Sequence, residues 1–456
     1  YFSDGLSEEI LNALVPISDL RVISRTSAFA FKDKDLAIPE IAAQLKVSHV
    51  LEGSVRTAGD QVRITAQLIE VSTDSHLWSE AYSRPLENVF EVQEEISSAI
   101  AEQLQLRLSP ADRSERPTEN VEAYRLFLRG RHHYQQRNPE DLELAVPLLE
   151  QAVAEDPDFD EAWANLAATY LVVGYGADEG FEALYEKAQD AADRAIAINP
   201  RSGLGHAVNG LMAYGRRDFE QAITQLDRAI ALNPAESNSY LWKGIVLFGL
   251  GYVEEATAIM LEAEQFDPAF ANLHNWLADT YLALGDAEGA RHHRDMAMAV
   301  DHQFDFNSNA DLARLDDGVE GEIQVVEAVM EEVPDSTAMM TAYIDALRDP
   351  AETDRAVQAI LAYEGSNVRI RKPYLLYRLG AVGPALDAWR TEIANGRTLR
   401  ASNELSAFWN GAYTENLKEP LLPAFFEEVG MADYWRAHGD PYYCRTVGDN
   451  VECGEP

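Results

Sequence analysis

The feature that most constrains the fold of this chain is a repeat with a period of 34 residues. Asn199-Pro200, Asn233-Pro234 and Asp267-Pro268 each follow an Ala-rich segment with helical periodicity, and the three prolines lie 34 residues apart. Small residues recur at matching places in successive units and predict close packing of paired helices; they are Ala222, Ala229, Ala256, Ala263, Ala290 and Ala297. A chain with such a period buries its core by stacking each unit on the next.

These residues resemble tetratricopeptide repeats, over about five units between residues 120 and 302. Trp163, Leu166 and Tyr170 match the first helix of an early unit, and Leu277 and Tyr281 match that of the last. The resemblance implies an all-α solenoid whose first helices line a concave groove that binds an extended peptide or a partner helix. The positions expected to line this groove are Glu161, Ala164, Leu171, Asn238, Leu241, Ile245, Phe248, Asn272, Asn275 and Asp279.

The chemistry of these groove positions suits a peptide. An Asn side chain both donates and accepts hydrogen bonds and so matches a peptide backbone, while Leu241 and Phe248 offer apolar surface to a partner side chain. For each single position, a solvated helix face is the alternative interpretation. No Lys/Arg clamp for a C-terminal carboxylate is visible in the pattern.

Residues 1–110 predict a different, α+β module. Residues 3–14 and a segment that starts near Pro39 have amphipathic helical periodicity, and LRVISR at residues 20–25 is typical of a short buried strand. Three stretches with alternating apolar and polar residues follow, separated by short turn sequences, and predict a β-meander. A helix from Leu86 to about Leu108 closes the module. We therefore expect a small mixed sheet packed with helices.

Four stretches of this module resemble the TolB-N-like (FlgO-like) domain of bacterial regulators: YFSDGLSEEI, LRVISRTSAFAFK, VLEGSVRTAGDQVRITAQLI and HLWSEAYSRPLENVFEVQEEI. The resemblance implies no catalytic activity. Members of this family usually have an apolar strand before the YFSDG stretch, so we expect an N-terminally truncated chain. In regulators of the CadC type, the missing part would hold a winged helix and one membrane helix. In other relatives it would be an adenylate cyclase or a kinase.

Residues 303–456 lose the period but keep paired amphipathic segments, which predicts a degenerate helical continuation of the stack. The last 35 or so residues are rich in aromatic side chains and predict a cap on its end. Cys444 and Cys453 flank the turn sequence Gly448-Asp449-Asn450. This arrangement favours a disulfide over two free thiols, and hence an oxidising compartment. The resemblance to CadC-type regulators, whose sensory part is periplasmic, also implies an oxidising compartment.

Composition excludes several classes of function. Lys+Arg 37 against Asp+Glu 77 gives a net charge of −40, so the chain lacks the basic surface on which direct nucleic-acid binding depends. No run of apolar residues is long enough to predict a membrane span. His292 and His293 with Asp295 resemble a metal cluster, but adjacent residues on a helix point about 100° apart, so we predict no metal site.

No catalytic pattern is present in the sequence: a phosphate-binding Gly-rich loop, a Gly-x-Ser-x-Gly elbow, a His-Glu-x-x-His helix and a Cys-x-x-Cys pair are all missing. We predict no catalytic residue and no cofactor. The favoured interpretation is a non-enzymatic, periplasmic interaction and sensory module of a bacterial regulator, with a protein or peptide partner in the groove. The alternatives are a cytoplasmic regulatory region of a larger enzyme, an adenylate cyclase or a kinase, and an acidic groove for a small cationic ligand. The sequence leaves the oligomeric state open.

Overall fold

The computed structural model describes all residues except 1–5, 8–9, 12–13, 16, 18–19, 33, 35, 59–60, 86–88, 105–117, 178–179, 300–305, 366–370 and 455–456. We number its helices and strands in chain order. The N-terminal elements are α1 (Arg25–Phe29), α2 (Ile38–Leu45), β1 (His49–Ala58), β2 (Gln61–Glu70), β3 (Ser75–Pro85) and α3 (Val89–Gln103).

The helices of the middle region are α4 (Val121–Gln136), α5 (Pro139–Glu155), α6 (Asp160–Gly176), α7 (Phe181–Ile198), α8 (Gly203–Gly215), α9 (Phe219–Leu232), α10 (Ser237–Gly249), α11 (Val253–Phe266), α12 (Ala271–Ala283) and α13 (Ala287–Ala299). The C-terminal elements are α14 (Phe306–Glu332), α15 (Thr337–Arg348), α16 (Thr353–Ala362), α17 (Lys372–Arg378), α18 (Val382–Ala394), α19 (Thr398–Asn403), α20 (Leu421–Glu428), α21 (Met431–His438), β4 (Cys444–Val447) and β5 (Asn450–Cys453). Short 3₁₀ turns, Glu404–Trp409 and Gly411–Lys418 among them, join the later helices.

The N-terminal sheet is a three-stranded meander in the order β1-β2-β3. Both strand pairs are antiparallel, with His49 opposite Glu70 in the first and Gln61 opposite Pro85 in the second. Alternate residues of β2, among them Val62 and Ile64, are buried, because successive side chains of a strand point to opposite faces and α3 packs against β2 and β3. The α+β character agrees with the prediction, but the described strands form an antiparallel sheet and not a mixed one.

The strand expected over residues 20–25 is not formed. Its described residues are extended but unpaired as far as Ser24, and α1 begins at Arg25. The Ser24 N–H donates to the Phe266 carbonyl at 2.7 Å, and an Arg21 guanidinium N–H donates to the Gln265 carbonyl at 2.9 Å. The segment therefore uses hydrogen-bonding groups on the repeat region instead of a neighbouring strand. The first predicted helix lies partly outside the described residues; within it, Leu6, Ile10 and Leu14 are helical and buried.

The middle region is a stack of five antiparallel helix pairs, from α4/α5 to α12/α13, with each pair packed on the next. The recurring alanines are fully buried, as their small size predicts for helices that approach closely. Pro200, Pro234 and Pro268 each follow a helix whose C-cap residue has a non-helical backbone conformation, because the residue before a proline is disfavoured in the helical region. We call α4–α13 the repeat stack.

Residues 306–454 form a helical region that packs back onto the repeat stack. The indole N–H of Trp409 donates to the Gly249 carbonyl at 3.1 Å, and that of Trp435 donates to the Leu250 carbonyl at 2.8 Å. The hydroxyl of Tyr443 donates to the carbonyl of Ala283. The aromatic residues therefore contact the turns of successive repeats, whereas the sequence suggested a cap on the end of the stack.

A two-stranded hairpin, β4–β5, closes the described C-terminus. Cys444 is the register partner of Cys453, and their sulfur atoms are bonded at 2.00 Å. Gly448 occupies the two-residue loop with φ +63°, a conformation that glycine adopts without a steric penalty. Among the described residues, no helix is both long enough and apolar enough to cross a membrane.

Candidate partner-binding groove

An open cavity of about 1810 Å³ lies on the concave side of the repeat stack. The first helices of the units, α4, α6, α8, α10 and α12, contribute the largest share of its lining. Residues 22–26 and Phe29 of the N-terminal module add to one part of the wall, and Arg371, Tyr374 and Asn403 of the C-terminal region add to another. We call this cavity the concave groove. All three regions of the chain thus contribute to its surface.

Eight of the ten groove positions named from the sequence line this cavity; they are Glu161, Ala164, Leu171, Asn238, Ile245, Asn272, Asn275 and Asp279. Leu241 and Phe248 do not line it. Leu241 is fully buried, and Phe248 is buried with its ring edge-to-face against Trp276 at a centroid distance of 6.4 Å. These two side chains belong to the core between helices, so a ligand would reach them only by displacing packed residues.

Two groove tryptophans were missed by the sequence analysis. Trp242 on α10 and Trp276 on α12 line the cavity and occupy the same position in successive units; Trp242 is buried and Trp276 is partly buried. The period contains the signal that would have found them, because they are 34 residues apart and each follows a predicted groove Asn by four residues, one helical turn. Arg131 on α4 and Arg137, the residue that follows α4, were also missed, since that unit departs from the regular spacing.

Helix α1 joins the N-terminal module to the repeat stack next to the groove. The buried Ser27 hydroxyl donates to Asp267 Oδ1 at 2.6 Å and accepts the Ala269 N–H at 2.7 Å. The hydroxyl of Ser237 donates to Asp267 Oδ2. Burial raises the pKa of Asp267, while these hydroxyl donors act in the opposite direction. The Ser24 side chain accepts the Ser27 N–H and caps α1.

The charges along the groove are balanced, unlike those of the whole chain. Its basic lining residues are Arg25, Lys32, Arg131, Arg137, Arg201 and Arg371, and its acidic ones are Asp141, Asp160, Glu161, Glu236 and Asp279. A hydrogen bond from His133 lowers the pKa of Asp141, whereas burial raises the pKa of Asp160. The guanidinium of Arg137 donates to Asn238 Oδ1 at 3.2 Å and lies over the Tyr134 ring. This lining does not favour a cationic ligand on charge alone.

Two amide side chains in the groove are buried with an unsatisfied oxygen. Asn275 is 7% exposed and Asn403 is 8% exposed, and both line the cavity. Within the described part of the chain, the Oδ1 atom of each has no hydrogen-bond partner. Buried polar atoms without a partner are rare and cost free energy, so each one needs an explanation. A ligand that donates hydrogen bonds would supply it.

The comparisons with known proteins concern parts of the chain. No family model matches it. Over 174 residues, 38% of this chain, it is 38% identical to a protein of Rhizobium meliloti (strain 1021) named "Putative adenylate cyclase 3". The chain spans 30% of that relative's length.

Solved structures with a similar arrangement include Pseudomonas aeruginosa PilF, with 18% identity and a TM-score of 0.35 over 46% of this chain and 92% of that one. A tetratricopeptide-repeat protein of Thermus thermophilus is 20% identical, with a TM-score of 0.32 over 52% of this chain and 99% of that one.

Proposed function

We propose that this chain is a non-enzymatic interaction module that binds an extended peptide segment of a protein partner in the concave groove. The observation that carries the proposal is the pair of buried, unsatisfied amide oxygens of Asn275 and Asn403 in a groove lined by helices. A peptide backbone presents an N–H group at nearly every residue and so can satisfy both oxygens.

The rest of the lining fits the same ligand. Trp242, which is buried, and Trp276, which is partly buried, line the groove one repeat apart, and aromatic residues in such places contribute strongly to binding energy at interfaces. The groove lining contains both arginines and carboxylates, so partner side chains of either charge can find a complement there. This balance of charges in the groove favours a peptide as the ligand. The net charge of the chain by itself would instead favour a simple polycation.

The sharpest test is Asn275→Leu. The preceding unit has Leu241 at this position, fully buried, so the substitution is compatible with the helix packing of the stack. A peptide selected from a random library displayed on phage against the whole chain would serve as the probe. We expect Asn275→Leu to weaken its affinity about 10-fold, because one hydrogen bond to a buried amide contributes about 1.4 kcal/mol.

The control is Glu262→Leu, an exposed position on α11, the second helix of the neighbouring unit. It should leave the affinity within about 2-fold of the parent chain, because it lies outside the groove. Thermal unfolding separates binding from folding, because removal of an unsatisfied polar group leaves stability unchanged or raises it. Failure to select any peptide, or equal affinity for the parent and Asn275→Leu, would contradict the proposal.

We further propose that the N-terminal module is a TolB-N-like (FlgO-like) domain and that the chain is the periplasmic part of a CadC-type transcriptional regulator. The four matching sequence stretches, the β-meander and the bonded Cys444–Cys453 pair support this assignment. The test is a thiol count by mass spectrometry on unreduced protein from its native host. Two blocked cysteines would support the periplasmic location, and two free thiols would exclude it.

A second candidate function is the regulatory region of a larger signalling enzyme, such as an adenylate cyclase. The relative from Rhizobium meliloti favours it, since it is 38% identical over 174 residues and carries a cyclase name. The test is expression of the complete gene in a bacterium that lacks its own cyclase. Formation of cyclic AMP would support this candidate, and an inactive, well-folded product would favour the transcriptional regulator.

A further inference from the structure

A hydrogen bond that recurs in successive repeats determines which ring nitrogen of a buried histidine in the last repeat carries the proton. In four units, the side chain six residues after the junction proline reaches the carbonyl of that proline. The pairs are Trp163 with Pro157 (3.0 Å), His206 with Pro200 (3.1 Å), Tyr240 with Pro234 (3.1 Å) and His274 with Pro268 (2.9 Å). A carbonyl oxygen only accepts, so His274 carries its proton on Nε2 and has a lone pair on Nδ1.

Two further ligand atoms lie close to this lone pair. His274 Nδ1 on α12 is 2.9 Å from His293 Nδ1 on α13, and a carboxylate oxygen of Glu264 on α11 completes a group of three. One ligand atom from each residue lies within 4.8 Å of the other two. Both histidines are buried, and Glu264 is partly buried. Three consecutive helices of the stack therefore converge on one point.

The preceding repeats provide an internal comparison. Two units earlier in the chain, His206 uses its Nδ1 to contact the amide of Gln225 at 2.6 Å, and the position equivalent to Glu264 is Ile196. In the unit between them, the three equivalent positions hold Ile230, Tyr240 and Ile259. All three of these units thus have the hydrogen bond to the proline carbonyl. Of the three, only the last also has the set of three ligand side chains.

We propose that Glu264, His274 and His293 form a binding site for a divalent first-row transition ion, with Zn²⁺ the best match. Imidazole nitrogen and carboxylate oxygen are ordinary zinc ligands, and three protein ligands leave a fourth position for water. The His274 Nε2–H···O=C bond to Pro268 is the outer-shell contact that orients a metal-binding histidine. This site is separate from the proposed peptide function and does not depend on it.

The protonation of the pair also suits a metal. The Nε2–H bond to Pro268 leaves the lone pair of His274 on Nδ1, so this nitrogen can bind an ion without losing a proton. Without an ion, His293 Nδ1–H donates to His274 Nδ1. A bound ion would take the place of this proton on His293 Nδ1, and the proton would shift to Nε2 of the same ring. Tetrahedral bonds of about 2.0–2.1 Å would hold the two nitrogens about 3.3 Å apart, a small displacement from 2.9 Å.

The test uses the whole chain after treatment with a chelator, titrated with ZnCl₂ by calorimetry and with CoCl₂ by visible absorption. We expect one tight equivalent of Zn²⁺, a tetrahedral Co²⁺ spectrum and a higher melting temperature with metal. His293→Gln should lower the affinity at least about 100-fold and abolish the spectrum. The substitution copies Gln225 of the earlier unit, so its amide can still pair with His274 and the fold is maintained.

Two more variants sharpen the test. Glu264→Gln should weaken binding about 10-fold, because a neutral amide replaces the anionic ligand. His292→Gln is the matched control, an exposed histidine next to His293 and outside the ligand set, and should bind Zn²⁺ like the parent. The proposal is overturned if the parent binds no Zn²⁺ at millimolar concentration, or if His293→Gln and the parent bind equally well.

Discussion

The repeat stack and the C-terminal region are both helical, but residues of opposite size hold them together. In the stack, fully buried alanines line the contacts between neighbouring helices. In the C-terminal region, Trp389, Trp409 and Trp435 are fully buried among other aromatic rings. The ring centroids of Trp389 and Phe408 are 4.5 Å apart, and those of Phe426 and Trp435 are 5.1 Å apart. One region thus depends on close approach of backbones and the other on aromatic packing.

A cluster of buried ion pairs is a further feature of the C-terminal region. Arg378 on α17 lies 2.6 Å from Asp311 and 3.5 Å from Glu322, both on α14, and all three side chains are almost fully buried. Tyr343 donates to Glu322 at 2.7 Å, and Asn410 donates to Asp311 at 2.6 Å. Because burial penalises the charged form, the pKa of Asp311 is raised to about 6 in spite of Arg378. The comparison shows that helices packed on their neighbours in a repeat need small residues at the contacts. A region without a repeat depends instead on specific pairs of residues that are far apart in the sequence.

The largest expected effect comes from breaking the buried ion cluster. Arg378→Met should lower the free energy of unfolding by about 3–5 kcal/mol, because it leaves the buried Asp311 carboxylate without its cation, whereas Glu322 keeps Arg314 at 2.6 Å. Urea denaturation at pH 7 measures this loss. Arg390→Met is the matched control, since Arg390 pairs with Glu428 at the surface and exposed pairs contribute about 1 kcal/mol or less. Equal losses in the two variants would show that the cluster is not what stabilises this region.

The hairpin at the C-terminus should have the next largest effect. Replacing both Cys444 and Cys453 by serine should lower the free energy of unfolding by about 2–3 kcal/mol, since a short loop is no longer closed in the unfolded chain. Denaturation of the parent with and without a reductant checks the same quantity. A parent that is unaffected by reduction would show that β4–β5 unfolds separately from the rest.

The contact between the two regions depends on a hydrogen bond from Trp435. Trp435→Phe removes the donor to the Leu250 carbonyl and should destabilise the chain by about 1–2 kcal/mol. Tyr434→Phe on the same helix is the control and should cost less than about 0.5 kcal/mol, because its hydroxyl makes no hydrogen bond within the described structure. Thermal unfolding of the three proteins in parallel would rank them, and a loss for Tyr434→Phe as large as that for Trp435→Phe would refute the role of the indole.

The smallest effect tests close approach within the stack. A Cβ atom at Gly210 would lie 2.7 Å from Leu226 Cγ and 3.2 Å from the backbone carbonyl oxygen of Ala222. The three nearest atoms to one at Gly244 would all belong to the flexible Met260 side chain, with Cε at 2.4 Å and Cγ at 2.6 Å. Gly210→Ala should therefore destabilise by about 1 kcal/mol, the cost of overpacking minus the gain in helix propensity. Gly244→Ala should be near neutral, because Met260 can move aside. The reverse order in urea denaturation would contradict this account.

The 34-residue period explains how much of the groove could be predicted from the sequence. Eight groove positions could be named from the sequence because they recur on the first helices of regular units. Leu241 and Phe248 were assigned to the groove wrongly, since helical periodicity does not distinguish a groove face from the adjacent buried face on an apolar helix. The ligand set Glu264, His274 and His293 was missed because its members lie on three different helices, and only His293 had been considered, with its sequence neighbour.

The sequence alone determined the helix-pair repeat, the antiparallel meander that precedes it and the acidity of the chain, since all three follow from local periodicity and composition. Only the tertiary structure decided that residues 20–25 bind the repeat stack instead of forming a strand. It also decided that the aromatic C-terminal region lies along the repeat turns and that three helices bring two histidines to a glutamate. These contacts join residues far apart in the chain, and a one-dimensional pattern contains no information on which distant groups will satisfy each other's hydrogen bonds.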